Sequence, residues 1–291
     1  MSGWFLQRQP LKYFVLTILC AVSFIENGTF LIVICKNWTH SKRRRITYYV
    51  TSLAISDFLV GASGFCIWIV KLATRKTTCR LSSVFRVILC MAVLISLLAV
   101  CLMAIERSLC IKKPLSWNKI LALKRILRIM AGNWVFSLAL VILGHFYMSE
   151  VSIILAVLWC IPIFVTAFVY INLHINFSKS KDVHDETQES SSTGERKKKL
   201  IQQKDAKLVL ILTLVLVITI APALLANVMY ESWNLLNCKF IGTMKTLATY
   251  SLILLTLNFI VNPIIYGWGI SLYRQAFWKM LGEGTLLFES S

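Results

Sequence analysis

The chain has 291 residues, of which 57% are hydrophobic and 15% charged, with a mean hydropathy of +0.72 and a formal net charge of +18. A soluble surface needs more polar residues than this to cover a core, which excludes an ordinary cytosolic globule. The basic residues fall in blocks between long apolar runs rather than on one soluble face, so the charge does not point to nucleic acid.

Seven runs are long enough to cross a hydrocarbon core of about 30 Å, which takes about 20 helical residues. They lie near 13–35, 47–73, 84–110, 125–145, 151–174, 206–230 and 242–266. The first lacks the basic flank of a secretory leader and is expected to be a span in its own right. The runs are continuous rather than alternating, which predicts helices and not a barrel, because lipid offers the backbone no hydrogen-bond partners. A short amphipathic piece follows at about 271–281. The expected fold is therefore an all-α membrane protein, a seven-helix bundle with an amphipathic eighth helix. It divides into an extracellular amino terminus at 1–12, a transmembrane domain at 13–266, and the eighth helix with a cytoplasmic tail at 267–291.

Orientation follows from Lys and Arg placement. With the amino terminus outside and the carboxyl terminus in the cytoplasm, the inner segments hold 22 of the 31 basic residues and the outer segments nine. The polar, low-complexity stretch 178–204 falls in an inner loop at 175–205 that cannot bury a core. In this topology the sequons at Asn27, Asn37 and Asn176 lie in membrane or cytosol and carry no glycan. Most of the nine cysteines fall inside apolar runs, where a thiol packs as a small apolar residue. Cys79 and Cys238 both fall near the outer face, either bonded to each other or as two unpaired thiols.

Ionisable residues deep in a span cost roughly 2.5–3.5 kcal/mol to insert and draw attention for that reason. Asp57 stands 12 residues from Arg45, about 18 Å inside the membrane at 1.5 Å per residue. Asn27, Ser96, Asn258 and Asn262 can reach a similar layer. One carboxylate among neutral oxygens suits a hard cation such as Na⁺. The same residues read equally well as a polar tie between helices. Glu106 and Arg107 form an adjacent pair at the inner end of the third run, and Pro162, Pro222 and Pro263 interrupt the last three. The four histidines are scattered without ligand spacing, so no catalytic group and no covalent cofactor are expected.

Taken in order, these features resemble the rhodopsin-like (class A) G-protein-coupled receptor family over essentially the whole chain. The resemblance rests on Glu26-Asn27, Leu53-Ala54-Ile55-Ser56-Asp57, Glu106-Arg107-Ser108, Trp134, Pro162 with Tyr170, Asn262-Pro263-Ile264-Ile265-Tyr266, and then Tyr273 and Phe277. It implies a plasma-membrane receptor with an extracellular small-molecule, lipid or peptide ligand, a heterotrimeric G protein as partner, and lipid around it. It implies a sodium site at Asp57, Ser96, Asn258 and Asn262. It also implies activation through Glu106, Arg107, Tyr170, Asn262, Pro263 and Tyr266.

The sequence departs from the family pattern in several places. Ile220 stands where the toggle tryptophan of helix 6 belongs, Ser108 replaces a tyrosine, Gln202 replaces a latching glutamate, and Ser82 occupies the usual disulfide position. The Glu-Asn pair, short amino terminus and short 4–5 loop are similar to the melanocortin, cannabinoid, lysophospholipid and adenosine receptors. By that resemblance the ligand pocket includes Leu89, Val93, Asn227 and Thr256. Thr256 excludes the retinal lysine, and Leu89 the aspartate of amine receptors. Two other readings stay open: a non-signalling decoy or scaffold homologue, and a transporter, which would favour paired intramembrane charges and inverted repeats.

Overall fold

The computed structural model describes residues 9–37, 45–74, 79–112, 123–146, 161, 163–169, 171, 207–208, 210–223, 225–226 and 241–280. Among them every regular element is an α-helix. In chain order these are α1 (Gln9–Lys36), α2 (Ile46–Thr74), α3 (Cys79–Lys112), α4 (Leu123–Phe146), α5 (163–169), α6 (Leu210–Ala223), α7 (Ile241–Gly269) and α8 (Ser271–Met280). Five of them, α1 to α4 and α7, contain segments long and apolar enough to span a membrane, with mean hydropathies between 1.7 and 3.0.

These helices outrun the apolar runs that announce them. The third run suggests 84–110, whereas α3 begins at Cys79 and carries Arg80, Ser82 and Ser83 in its first turns. Hydropathy marks the lipid-facing length, and helical hydrogen bonding continues past it into the polar boundary. Similarly, α7 continues three residues beyond Tyr266 to Gly269, with Pro263 inside the helix. The fifth and sixth runs are described only within 161–171 and 207–226.

Large apolar side chains point outward on every described spanning helix. Val135 on α4, Phe164 and Phe168 on α5, and Ile218 on α6 are each at least 66% exposed. An aqueous surface would not carry such a belt, and hydrocarbon accepts it. Among the described residues the interior is one continuous cluster running from Leu16 and Ile34 through Leu53, Val93 and Leu97 to Leu212, Phe259 and Tyr266.

The most extensive helix contact among the described residues is between α1 and α2. A β-carbon added at Gly61 would lie 2.6 Å from the backbone nitrogen of Phe24 and 3.0 Å from the carbonyl of Cys20. One turn on, a β-carbon at Gly64 would meet the Cys20 sulfur and the Phe85 ring. Small residues here let two backbones meet, which is how helices gain packing energy in lipid, where no hydrophobic force drives them together. Trp134 ties α4 to α2 by donating its indole N–H to Ser52 Oγ at 2.8 Å.

The turn from α7 into α8 is made at Ile270, whose N–H bonds the Tyr266 carbonyl at 3.0 Å. Its own carbonyl accepts from the N–H groups of Tyr273 and Arg274. Ile270, Tyr273 and Ala276 are buried while Arg274, Gln275 and Trp278 are exposed, so α8 lies with one face on the bundle.

Candidate functional site

Of the polar residues flagged in the sequence, Asp57, Asn262 and Asn27 come together where α1, α2 and α7 meet. Asp57 sits in the middle of α2 with no exposed surface, and its carboxylate accepts a 2.9 Å hydrogen bond from the Asn262 amide of α7. Ser56 Oγ lies 3.4 Å from the other carboxylate oxygen, and Ser23 of α1 donates to the Asp57 main-chain carbonyl, also at 3.4 Å. Three helices thus meet at one acid.

Asn27 closes the α1 side. Its amide nitrogen donates to the Ser23 carbonyl and, at 2.9 Å, to the Phe259 carbonyl of α7. Pro263 has no N–H to give to the residue four before it, and that residue is Phe259. The sequence predicts only that a neighbour would satisfy the carbonyl freed by Pro263. The neighbour is Asn27.

Several other buried polar atoms of the bundle have no hydrogen-bond partner among the described residues. They are Asn27 Oδ1, Ser96 Oγ, both side-chain polar atoms of Asn258, and the Tyr266 hydroxyl. Ser96 and Tyr266 have no exposed surface, and Asn258 is 1% exposed. Each such group left empty costs about 1–3 kcal/mol, and native interiors leave few. No direct bond joins Asp57 to Ser96 or Asn258, although all are buried in the bundle.

Below the centre, Tyr266 is held by rings rather than by hydrogen bonds. Phe30 of α1 packs 5.6 Å from Tyr266 and 5.1 Å from Tyr273 of α8. The Tyr273 hydroxyl donates to Thr47 Oγ1 at 2.8 Å, joining α8 to the first turn of α2. Glu106 is 2% exposed near the carboxyl end of α3. Arg107 continues the helix, but its side chain falls outside the described residues. Tyr170, Asn227 and Cys238 also fall outside them, as does the Cys79 side chain, and with it any Cys79–Cys238 bridge.

The other positions expected in a ligand pocket, Leu89, Val93 and Thr256, are described. Val93 and Thr256 are 2% exposed and Leu89 is half-buried. Thr256 spends its hydroxyl on the Leu252 carbonyl of its own helix at 2.8 Å. Ile220, in the place of the toggle tryptophan, is 1% exposed in the core. A cavity of about 500 Å³ opens between α1, α7 and α8, lined by Glu26, Phe30, Pro263, Tyr273, Arg274 and Trp278 among others. It lies on the lipid flank, since Ile25, Ile264 and Trp278 at its rim are exposed.

At the amino-terminal end of the bundle a second constellation appears that the sequence does not announce. Tyr13 and Trp68 stack at 5.8 Å, and Trp68 meets Phe85 edge-on at 5.7 Å. The Lys71 ammonium stands 4.5 Å from the Tyr13 ring and 5.2 Å from Trp68. Lys12 stands 5.8 Å from the Tyr250 ring of α7. Only an aromatic residue one helical turn from a lysine could have hinted at it, a signal too common to act on.

Fold and site together define a polytopic helical membrane protein whose spans are locked around a buried carboxylate. Residues 26–153 and 147–266 match the model of the seven-transmembrane receptor (rhodopsin family). The chain belongs to that family. Its architecture is therefore the seven-helix bundle, and it is a membrane receptor of the G-protein-coupled class, not an enzyme.

Proposed function

We propose that the chain carries an extracellular chemical signal across the plasma membrane to a heterotrimeric G protein, with its amino terminus outside and its carboxyl terminus in the cytoplasm. The observation that carries this reading is the Asp57–Asn262 bond at the bundle centre. It places the one acid of the middle of α2 against the Asn-Pro pair of α7, so movement of α7 and the state of Asp57 are coupled. An element with two arrangements, biased by a ligand at one end and a partner at the other, is what transmission requires.

The buried, unpartnered oxygens of Ser96 and Asn258 support a sodium ion at Asp57 as an allosteric ligand. Asp57 would supply the charge, and Ser96, Asn258 and Asn262 neutral oxygens, a donor set suited to a hard cation. Such an ion supplies only charge compensation, favouring whichever arrangement holds these groups together. At the inner end, Glu106 and Arg107 on α3, with Tyr170 and Tyr266, form the surface that meets the G protein, and Pro263 gives α7 its point of bending. Leu89, Val93, Asn227 and Thr256 line the ligand pocket, and lipid chains fill the cavity beside α8. The Glu26-Asn27 pair and the short amino terminus keep the melanocortin, cannabinoid, lysophospholipid and adenosine receptors as the nearest group in flavour.

A panel of candidate ligands read by G-protein activation in cells tests this, with Arg107→Ala as the control. A response in the wild type that disappears in the variant at equal surface expression is the expected result. The buried Ile220 favours one rival, a homologue that reaches the surface without signalling. A receptor at the surface that yields neither basal nor ligand-driven activation would decide for that rival.

A further inference from the structure

The positive-inside asymmetry leaves a remainder. Nine basic residues stand on the outer segments against two acids, Glu150 and Glu231. Orientation in the membrane selects against cations on that side, so those present have a reason to be there. Among the described residues the only acids are Glu26, Asp57 and Glu106, and none lies at this end of the bundle. Lys12, Lys71, Arg80 and Arg86 thus stand at this end with no acid beside them among the described residues.

Lys71 is fixed in place, and Arg86 stands near it. Lys71 of α2 lies against the faces of Tyr13 and Trp68, contacts that hold an ammonium by the ring quadrupole. Trp68 in turn touches Phe85 of α3, and the next residue is Arg86. Arg86 stands seven residues into α3, about 10 Å below its start and inside the apolar span that begins at Arg80. A guanidinium at that depth is costly unless something compensates it. It shares its helix face with Val93 and Leu97, seven and eleven residues on, which are both 2% exposed inside the bundle. Arg86 is exposed at the top of that buried face. It therefore stands at the mouth of the interior and not toward lipid.

We propose that the ligand of this receptor is a small organic anion with an apolar body, its carboxylate or phosphate held between Lys71 and Arg86 at the outer mouth. This rests on the orientation and receptor reading above and adds the charge of the ligand. The planar guanidinium of Arg86 takes a carboxylate or phosphate in two parallel bonds, and Lys71 acts as a point charge beside it. The apolar body extends down the α3 face past half-buried Leu89. The surplus positive field at the mouth also speeds the approach of an anion.

The test is photo-crosslinking of the purified receptor in zwitterionic nanodiscs, with 4-benzoylbenzoate as the probe and 4-benzoylbenzamide as its neutral match. Both faces are open to the probe and no G protein is needed, so a receptor that fails to signal can still bind. Orientation is checked separately by tags. The acid should label the outer ends of α2 and α3 at least tenfold more than the amide. Lys71→Gln with Arg86→Gln should abolish that preference, Arg86→Lys should keep most of it, and Arg274→Gln on α8 should leave it unchanged. If the glutamine pair loses its fold, Arg86→Glu alone still decides, because it should favour 4-(aminomethyl)benzophenone over the acid. Equal labelling by acid and amide, or a preference that survives removal of both cations, overturns the proposal.

Discussion

The side-chain amide of Asn27 donates to the main-chain oxygen of Phe259, the carbonyl that Pro263 leaves without its helical donor. Helix α1 thus completes the hydrogen bonding of α7 across 232 residues of sequence. The two positions are coupled energetically and not merely adjacent. Asn27→Ala should lower stability by about 1–2 kcal/mol, the cost of an orphaned carbonyl and a lost interhelical bond. In a Pro263→Ala background an N–H returns to serve Phe259, and the same substitution should cost less. Thermal unfolding of the four proteins gives the coupling directly; a strictly additive cycle would show that the bond is idle.

Gly61 and Gly132 make a contrasting pair. A β-carbon at Gly61 runs into the backbone of Phe24, whereas at Gly132 it meets nothing within 4 Å. Gly61→Ala should destabilise by about 1–3 kcal/mol, because one helix must shift from the other. Gly132→Ala should stabilise by up to about 1 kcal/mol through helix propensity. Melting curves of the two variants moving in the same direction would contradict the α1–α2 contact.

Sodium should stabilise the receptor through Asp57. A ligand bound at ten times its dissociation constant adds about 1.4 kcal/mol. Exchange of sodium chloride for N-methylglucamine chloride at constant ionic strength should lower the melting temperature of the wild type. Asp57→Asn keeps the shape and the Asn262 neighbour but removes the charge, so its melting temperature should ignore the exchange. A mutant that follows sodium as the wild type does would leave only the polar tie between helices.

Tags at the amino terminus and near Ser190 should label from opposite sides of intact cells, the first from outside and the second only after permeabilisation. The 22 basic residues of the inner segments motivate this. Surface labelling at Ser190 would reverse the bundle and remove the G-protein reading with it.

What the sequence discloses depends on the range of the interaction. Spans were readable because lipid demands about 20 apolar residues in a row, and 13–35 falls within α1 as 47–73 falls within α2. Their ends were not, because α3 carries helical hydrogen bonding through Arg80 and Ser82, which hydropathy counts as loop. Asp57 and Asn262 were readable as expensive residues, and they pair. The Asn27–Phe259 bond was not, since its acceptor is a backbone atom exposed by a proline four residues away. The Lys71–Tyr13–Trp68 cluster was hidden for a related reason: it exists only once α1 and α2 stand side by side. Trp134 was readable as a motif residue, but Ser52 as its partner was not.

Six hydroxyls among the described residues behave differently from the Asn27 amide and the central acid, and that difference bears on how the protein is made. Thr17, Thr29, Ser63, Thr219, Ser251 and Thr256 each donate to a carbonyl one turn back in their own helix. A helix carrying only such groups enters a bilayer already satisfied and can wait there alone. Asp57 cannot, because its partner on another helix is Asn262, and Asn27, though bonded to Ser23 in its own helix, still lacks its bond to Phe259. During synthesis these two emerge in the first two spans, while their partners emerge in the last. A ribosome paused before α7 therefore leaves an unmatched carboxylate and amide in the membrane, a mark by which an unfinished receptor can be told from a finished one until the seventh helix arrives to erase it.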